Sequence, residues 1–339
     1  MSTQLDTHAR PPSMGVVAAR WIRRVRPAGR LRRVVPILVW LGLGTLVLAL
    51  LVPQAGVLGA SIGALGSVDP VWAAAAGLLV VLRYAMAAVS LQAAVSAPLP
   101  FRDTALVQLA SSFVGRLTPE GVGWLILNQR YLERSGLKRS SAAAGIALKV
   151  ASGAITRLAI MIVVALSVGG SGRRIVDVPD LPGAAAIAGV LLTAGVLMVG
   201  LRRLPPGARV RLAPIASAAN DLRAVLRQPR RATVLFVSSA VLTMSLPLAL
   251  SASLLALGAT VSPVDVAAVY LGGTAIAALS PTPGNIGAVE VVLAAGLTGL
   301  GVPSATALAS VLVFRLLTFW APVIPGFIAF RSLQRAERL

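Results

Sequence analysis

The sequence contains no cysteine and a single histidine, His8, which lies in a polar stretch before the first apolar run. Without cysteine the chain can form no disulfide, no thiolate nucleophile and no cysteine-based metal site. With its one histidine outside the apolar body, that body can hold neither a Ser-His-Asp triad nor a histidine-based metal site. We therefore predict no catalytic residue, no metal ligand and no cofactor, and we expect that the protein is not an enzyme.

Charged residues are also scarce: they make up 12% of the 339 residues, whereas apolar residues make up 57%. Soluble domains carry about 25% charged residues, so this composition indicates an all-α, polytopic integral membrane protein. Lys and Arg outnumber Asp and Glu by 31 to 11, which gives a formal net charge of +20. The basic residues lie between apolar runs, where they set topology and contact anionic lipids. A nucleic-acid-binding protein concentrates such charge on one folded face, so we predict no nucleic-acid partner.

The apolar runs predict about six full spans and two interrupted segments. The full spans are residues 34–52, 70–95, 141–168, 181–201, 232–257 and 304–330. The interrupted segments are 101–128 and 263–300, and each contains proline and glycine. Irregular backbone at membrane depth persists only inside protein or beside a wet cavity. We therefore predict that both segments form broken re-entrant hairpins, although 263–300 is long enough for two short spans instead.

The positions of the basic residues predict the orientation of the chain. Basic stretches at 1–33, 98–140, 202–231 and 331–339 alternate with stretches of little net charge at 53–69, 169–180 and 258–264. We predict a multi-pass protein of the cell (plasma) membrane, in which a cytoplasmic N-terminal tail, 1–33, and a cytoplasmic C-terminal tail, 331–339, flank two membrane repeats. The repeats are 34–168 and 169–330. Because each contains three predicted crossings, the second is inverted relative to the first.

The most distinctive stretch is 280–290, Ser-Pro-Thr-Pro-Gly-Asn-Ile-Gly-Ala-Val-Glu. Its carboxylate, Glu290, and Arg315 in the last span lie within apolar sequence, where a lone charge costs several kcal/mol and marks a candidate functional site. The two could form a buried ion pair that only fixes helix packing. Alternatively they bind a lipid phosphate or zwitterionic head group, with Arg315 holding the anion through its planar fork of donors. Free N–H groups at a half-helix N-terminus would assist, and we predict this role around Gly284, Asn285 and Gly287.

A weaker copy of this stretch occurs upstream, at 118–123, Thr-Pro-Glu-Gly-Val-Gly. Each copy is followed, at about the same distance, by one cation inside a long apolar segment: Lys149 after the first and Arg315 after the second. Short segments interrupted by proline and glycine in corresponding halves of a chain indicate a transporter-type site. The predicted site residues of the first half are Glu120, Gly121, Gly123, Asn128 and Lys149. Glu120 has three candidate partners, namely Lys149, Arg116 and Arg157.

Residues 281–290, followed by Gly301-Val302-Pro303 and Phe314-Arg315, resemble the C-terminal signature of a flippase-like membrane family. This family is named for the lysylphosphatidylglycerol synthase transmembrane region. Residues 119–123, with Asn128 and 130–132, look like its first-half motif, so the resemblance covers about residues 34–330. Asn285 stands where the family has a second glycine, and Glu120 where it commonly has Gly or Ala.

The resemblance implies a transporter that moves a phospholipid or a lipid-linked head group between leaflets. Its partners would be membrane lipids with anionic or zwitterionic head groups, and a homo-oligomer or a partner from envelope biosynthesis stays open. Bifunctional members of the family carry a soluble aminoacyl-transferase domain after the membrane body. Here only residues 332–339 follow the last span, so we expect no synthase activity. Two alternatives remain, namely a non-transporting accessory subunit of a lipid or envelope pathway and a membrane-embedded lipid-modifying enzyme.

Overall fold

The computed structural model describes residues 63, 65–95, 97–117, 122–170, 227–278, 280, 283–336 and 338. All of them belong to one compact unit, Gly56–Leu339. The predicted N-terminal tail and the predicted spans 34–52 and 181–201 lie outside the described residues. So do Glu120 and Gly121, two of the predicted site residues.

The described part of the chain is helical, with nine α-helices and three short helical turns. The α-helices are α1 (Pro70–Ala94), α2 (Phe101–Leu117), α3 (Val122–Arg134), α4 (Arg139–Gly170), α5 (Pro229–Leu255), α6 (Pro263–Ala277), α7 (Ala288–Gly299), α8 (Ser304–Arg315) and α9 (Val323–Arg335). The short turns are 3₁₀ helices at Leu65–Ser67 and Pro283–Asn285 and a π-helical turn at Leu316–Trp320, which joins α8 to α9. The last helix therefore continues past residue 331, where a tail was predicted to begin.

Four helical segments are long and apolar enough to cross a membrane: Pro70–Ala94, Arg139–Val168, Pro229–Leu255 and Ser304–Arg335. They match four of the predicted spans, and they confirm the prediction of an all-α polytopic membrane protein. The starts of α1 and α5 follow from local sequence, because each begins with a proline, whose fixed φ and missing N–H suit the first helical position. At α1 the preceding Asp69 also caps the helix by accepting the Val71 N–H at 2.7 Å.

Both interrupted segments are broken as predicted. The first consists of α2 and α3, and the second of α6 and α7, which are joined by the turn Pro283–Asn285. At 1.5 Å per residue, α6 is about 22 Å long and α7 about 18 Å, so neither reaches across a hydrocarbon core of about 30 Å. These lengths favour a re-entrant hairpin over two full short spans. Helix α7 begins at Ala288, directly after Gly287.

Helices α1 and α5 pack against one another in antiparallel directions. The Asp69 N–H, just before α1, donates to the Ala256 carbonyl, just after α5, at 2.8 Å. At the opposite end, the Arg231 Nε donates to the Ala93 carbonyl at 2.7 Å. Between these ends, the Arg83 guanidinium donates to the Leu242 carbonyl at 2.9 Å. Arg83 and Leu242 occupy equivalent positions, counted from the proline that begins each helix.

The two halves of the described chain share one packing scheme. Helix α1 packs on α2 as α5 packs on α6, α2 on α3 as α6 on α7, and α3 on α4 as α7 on α8. Across the halves, α4 packs on α6 and α9 packs on α2. The described chain has two larger apolar clusters, one around Leu91 and Leu132 and the other around Leu250 and Leu293, and each contains residues from both halves. Because the equivalent helices α1 and α5 are antiparallel, this scheme agrees with the predicted inverted pseudo-repeat.

Candidate functional site

Glu290 and Arg315 form a buried ion pair beside the second break. The Arg315 Nε donates to the Glu290 Oε1 at 2.6 Å, and the two side chains are only 10% and 18% exposed. The other carboxylate oxygen, Oε2, accepts the Gly287 N–H at 2.8 Å, and the Arg315 Nη2 donates to the Gly284 carbonyl at 3.4 Å. The sequence analysis predicted a free N–H at Gly287. In the structure this N–H is occupied, because Glu290 caps the start of α7.

The backbone of this break is left-handed at three positions, Gly284 (φ 64°), Asn285 (φ 53°) and Gly287 (φ 86°). Asparagine adopts this conformation more readily than most residues with a side chain. The replacement of the family's second glycine by Asn285 is therefore compatible with the turn. At Gly284 a side chain is excluded for a further reason, since a Cβ there would lie 2.7 Å from Cε2 of Phe319.

Phe319 lies between two arginines that come from opposite halves of the chain. Its ring centroid is 4.4 Å from the Arg315 guanidinium carbon and 4.9 Å from that of Arg116, which are cation–π distances. The Arg116 Nη2 also donates to the Thr318 carbonyl at 3.0 Å. The π-helical turn that carries Phe319 follows directly after Arg315, and such turns are frequent at functional sites.

Contacts with Phe319 bring residues beside the two breaks close together. Arg116 is the penultimate residue of α2, just before the undescribed residues 118–121, and α2 also contacts the turn Pro283–Asn285. The sequence analysis treated Arg116 only as a partner for Glu120, and it did not select Phe319. No local signal could have linked them, because the hydrogen bond between Arg116 and Thr318 joins residues 202 positions apart.

Lys149 and Asn128, predicted site residues of the first half, are joined by a residue that the sequence analysis missed. The Lys149 Nζ donates to the Gln108 Oε1 at 2.6 Å, and the Gln108 Nε2 donates to the Asn128 Oδ1 at 2.8 Å. The Asn128 Nδ2 in turn donates to the Ser111 Oγ at 2.9 Å and to the Trp124 carbonyl at 2.8 Å. Gly123 is buried in the first turn of the same helix, α3.

Two further arginines extend this group of cations toward α6. Arg157 donates to the Thr274 Oγ1 at 3.0 Å, and Arg83 donates to the Leu242 carbonyl as described above. Arg157 of α4 therefore contacts α6, and Arg83 of α1 contacts α5, so each of these cations joins the two halves.

The positive charge of this region is only partly compensated. Among the described residues, Arg315 has the carboxylate of Glu290, whereas uncharged groups accept the hydrogen bonds of the other cations, which are Arg83, Arg116, Lys149 and Arg157. A lone charge at membrane depth is costly, so such a region favours an anionic ligand. No cluster of three or more His, Asp or Glu side chains suited to a metal ion occurs in the part of the chain that the structure describes.

Long apolar helices, two interrupted segments and buried cations at their breaks define a polytopic helical membrane protein. The chain belongs to the family described as the lysylphosphatidylglycerol synthase TM region, because the family model matches residues 20–326. The match confirms the resemblance that residues 281–290 and 314–315 carry, and it concerns the membrane region of the family. The family links the chain to lipid metabolism or transport. The comparison with curated proteins gave no match.

Proposed function

We propose that the protein is a flippase-like lipid transporter, without enzymatic activity, that moves a phospholipid or a lipid-linked head group between leaflets. The observation that carries the proposal is the meeting of the two breaks at Phe319, between Arg116 of the first half and Arg315 of the second. Inverted repeats whose broken helices meet near the midplane form a scaffold for alternating access. The antiparallel packing of α1 and α5 supplies the inversion that such a scaffold requires.

The ion pair between Glu290 and Arg315 offers a zwitterionic head group one partner for each of its charges. A phosphate would replace Glu290 as the partner of Arg315, and an ammonium group would replace Arg315 as the partner of Glu290. This exchange matters because breaking a buried pair without compensation costs about 3–5 kcal/mol. An anionic head group is supported in a different way, because the hydrogen bonds of several cations go to uncharged groups among the described residues, namely those of Arg83, Arg116, Lys149 and Arg157.

The proposed setting is the cell membrane, with both termini cytoplasmic and membrane lipids as the partners. The distribution of basic residues supports it, since positive charge is enriched in cytoplasmic loops. The fold supports the same arrangement, because residues near Asp69 and Ala256, which were predicted to lie outside, occupy one end of the α1–α5 pair. Residues near Ala93 and Arg231, which were predicted to be cytoplasmic, occupy the other.

The test is a head-group accessibility assay in reconstituted vesicles with labelled phosphatidylglycerol, aminoacylated phosphatidylglycerol and a polyprenyl-phosphate sugar. Wild type is compared with Arg315→Gln and Glu290→Gln, and with Arg335→Gln as a control, since Arg335 is an exposed arginine at the end of α9. Hydrogen bonds to charged groups contribute about 1.5–3 kcal/mol. We therefore expect transfer of one lipid, reduced at least about tenfold in the first two variants and unchanged in the control.

Two results would contradict this proposal. If Arg315→Gln and Glu290→Gln both retain full transfer, the ion pair is not the head-group site. If correctly inserted wild type transfers none of the three lipids, the transporter function loses its support. Stable co-purification with a protein partner would then favour the accessory-subunit alternative.

A further inference from the structure

A small cavity lies beside Lys149, between helices of both halves. Its volume is about 120 Å³, and its walls come from four helices. The lining residues are Ser90 of α1, Trp124 of α3, Lys149, Val150 and Gly153 of α4, and Ser239 and Leu242 of α5. A water molecule occupies about 30 Å³ in the liquid, so the cavity is equivalent to about four waters. Pockets for complete drug-sized ligands measure about 300–1,000 Å³, which means that only a small group fits here.

Apolar atoms line most of this cavity, but its few polar groups suit an anion. The Lys149 ammonium has three N–H donors, and Gln108 accepts one of them. Lys149 forms no ion pair within the described ranges of the chain, and its hydrogen-bond partner there is the neutral amide of Gln108. Ser90 is only 1% exposed, and its hydroxyl supplies a further potential donor at the cavity wall.

The hydrogen-bond chain behind Lys149 holds the ammonium in place. Gln108 is 7% exposed and Asn128 is 1% exposed, and each donates to the next group in the chain at 2.8–2.9 Å. These partners are neutral, so they orient Lys149 without neutralising its charge. On the outer edge of the cavity, Val150 is 43% exposed. A small anionic group can therefore enter while the rest of its molecule stays outside.

We propose that the cavity bounded by Ser90, Trp124, Lys149 and Ser239 binds a single phosphate group. The Lys149 ammonium and the Ser90 hydroxyl are its donors. The phosphate belongs either to a lipid head group whose remainder lies outside the cavity or to a free phosphate ion. If it belongs to a lipid, this inference deepens the proposed function, since the protein then has a second anion site, beside the cation of the first half. Lys149 and Arg315 follow the two breaks at similar distances, but only Arg315 is paired with a carboxylate among the described residues.

The experiment measures binding to the purified full chain in phosphatidylcholine nanodiscs. The probes are short-chain phosphatidylglycerol and, separately, radiolabelled inorganic phosphate. Lys149→Gln removes the charge, and Gly153→Leu adds a bulky side chain at the cavity wall, where a Cβ meets nothing within 4 Å. Gly77→Leu on α1 is the matched control, since that glycine is also helical with open space around it.

We expect binding of at least one probe to weaken about tenfold or more in both Lys149→Gln and Gly153→Leu, and to stay unchanged in Gly77→Leu. Binding of phosphatidylglycerol alone identifies a lipid phosphate, and binding of inorganic phosphate identifies the free ion. Unchanged binding in either Lys149→Gln or Gly153→Leu, or no binding of either probe to wild type, overturns the inference. This experiment measures binding and does not measure lipid transfer. Loss of the cavity site would therefore leave the proposed transport standing, and a failed transfer assay would leave the cavity site standing.

Discussion

At the scale of single residues, a packing role and a binding role have to be distinguished for the ion pair formed by Glu290 and Arg315. The carboxylate accepts hydrogen bonds from both Arg315 and the Gly287 N–H, so it connects α8 to the start of α7. Buried pairs of this kind frequently contribute little net stability, because the desolvation of both charges offsets their attraction. A packing role and a binding role therefore predict different results when the whole pair is removed.

Replacing one partner should destabilise the protein, whereas replacing both should not. Glu290→Leu and Arg315→Met each leave an uncompensated buried charge, and we expect a loss of about 3–5 kcal/mol in unfolding free energy. The double variant should be within about 1 kcal/mol of wild type or more stable, because similar apolar replacements of buried pairs are neutral or stabilising. Thermal unfolding of the purified proteins, with the transfer assay on the same samples, measures both effects.

A stable double variant without lipid transfer would show that the charges serve binding. A stable double variant with full transfer would contradict the proposed site, because nothing would then require the two charges. The exposed pair Arg139–Glu133, at 3.9 Å, is the matched control. Removing it should change stability by less than about 1 kcal/mol, as is usual for surface ion pairs.

At the scale of single elements, the second break depends on the contact between Gly284 and Phe319. The π-helical turn Leu316–Trp320 brings the ring of Phe319 against the backbone of Gly284, where a Cβ would be only 2.7–2.8 Å from two ring atoms. The π-helical turn therefore packs directly against the turn of the second break. Any side chain at Gly284 has to displace the ring that the two arginines hold.

Gly284→Ala should therefore cost more than a left-handed backbone alone would cost. The φ of 64° contributes about 1–2 kcal/mol for a residue with a Cβ, and the clash with Phe319 adds to it. Gly301→Ala is the control, because Gly301 has φ 90° but meets nothing within 4 Å. We expect Phe319→Leu to recover part of the loss in Gly284→Ala and none in Gly301→Ala, as measured by thermal unfolding. Equal losses for the two glycines would show that the ring does not restrict Gly284.

The breaks were predictable from the sequence, but the contacts across them were not. Proline and glycine leave local signals, and these located both interruptions. Gln108 left no such signal, because one glutamine in a largely apolar helix does not show which cation it contacts. Phe319 was hidden for the same reason: an aromatic residue within the last apolar span is ordinary in a membrane protein. Both gain their roles only through tertiary packing.

At the scale of the whole molecule, the repeat was predictable because the elements follow in the same order in both halves. The same sequence of long helix, broken segment and long helix occurs twice, and the cations recur with it. The chemistry of the two halves has nevertheless diverged. The second half pairs Arg315 with Glu290, while the first half holds Lys149 with the amide of Gln108. A symmetric backbone therefore presents two different polar centres, which is why the sequence could align the halves but not assign their ligands.

The orientation in the membrane gives the last prediction, and the absence of native cysteine makes it directly measurable. Single cysteines replace four exposed residues, namely Ser67, Ser140, Gln228 and Thr260. Because α1 and α5 are antiparallel, Ser67 and Thr260 lie toward one end of this pair, and Gln228 lies toward the other. The alternation of basic stretches predicts that this other end is cytoplasmic and that Ser140 is on the same side.

A membrane-impermeant maleimide should therefore label Ser67→Cys and Thr260→Cys in intact cells, and Ser140→Cys and Gln228→Cys only after permeabilisation. The reverse pattern would invert the proposed topology while keeping the fold. Labelling of Ser67→Cys and Thr260→Cys from opposite sides would contradict the antiparallel α1–α5 pair itself, and with it the inverted repeat on which the proposed transport depends.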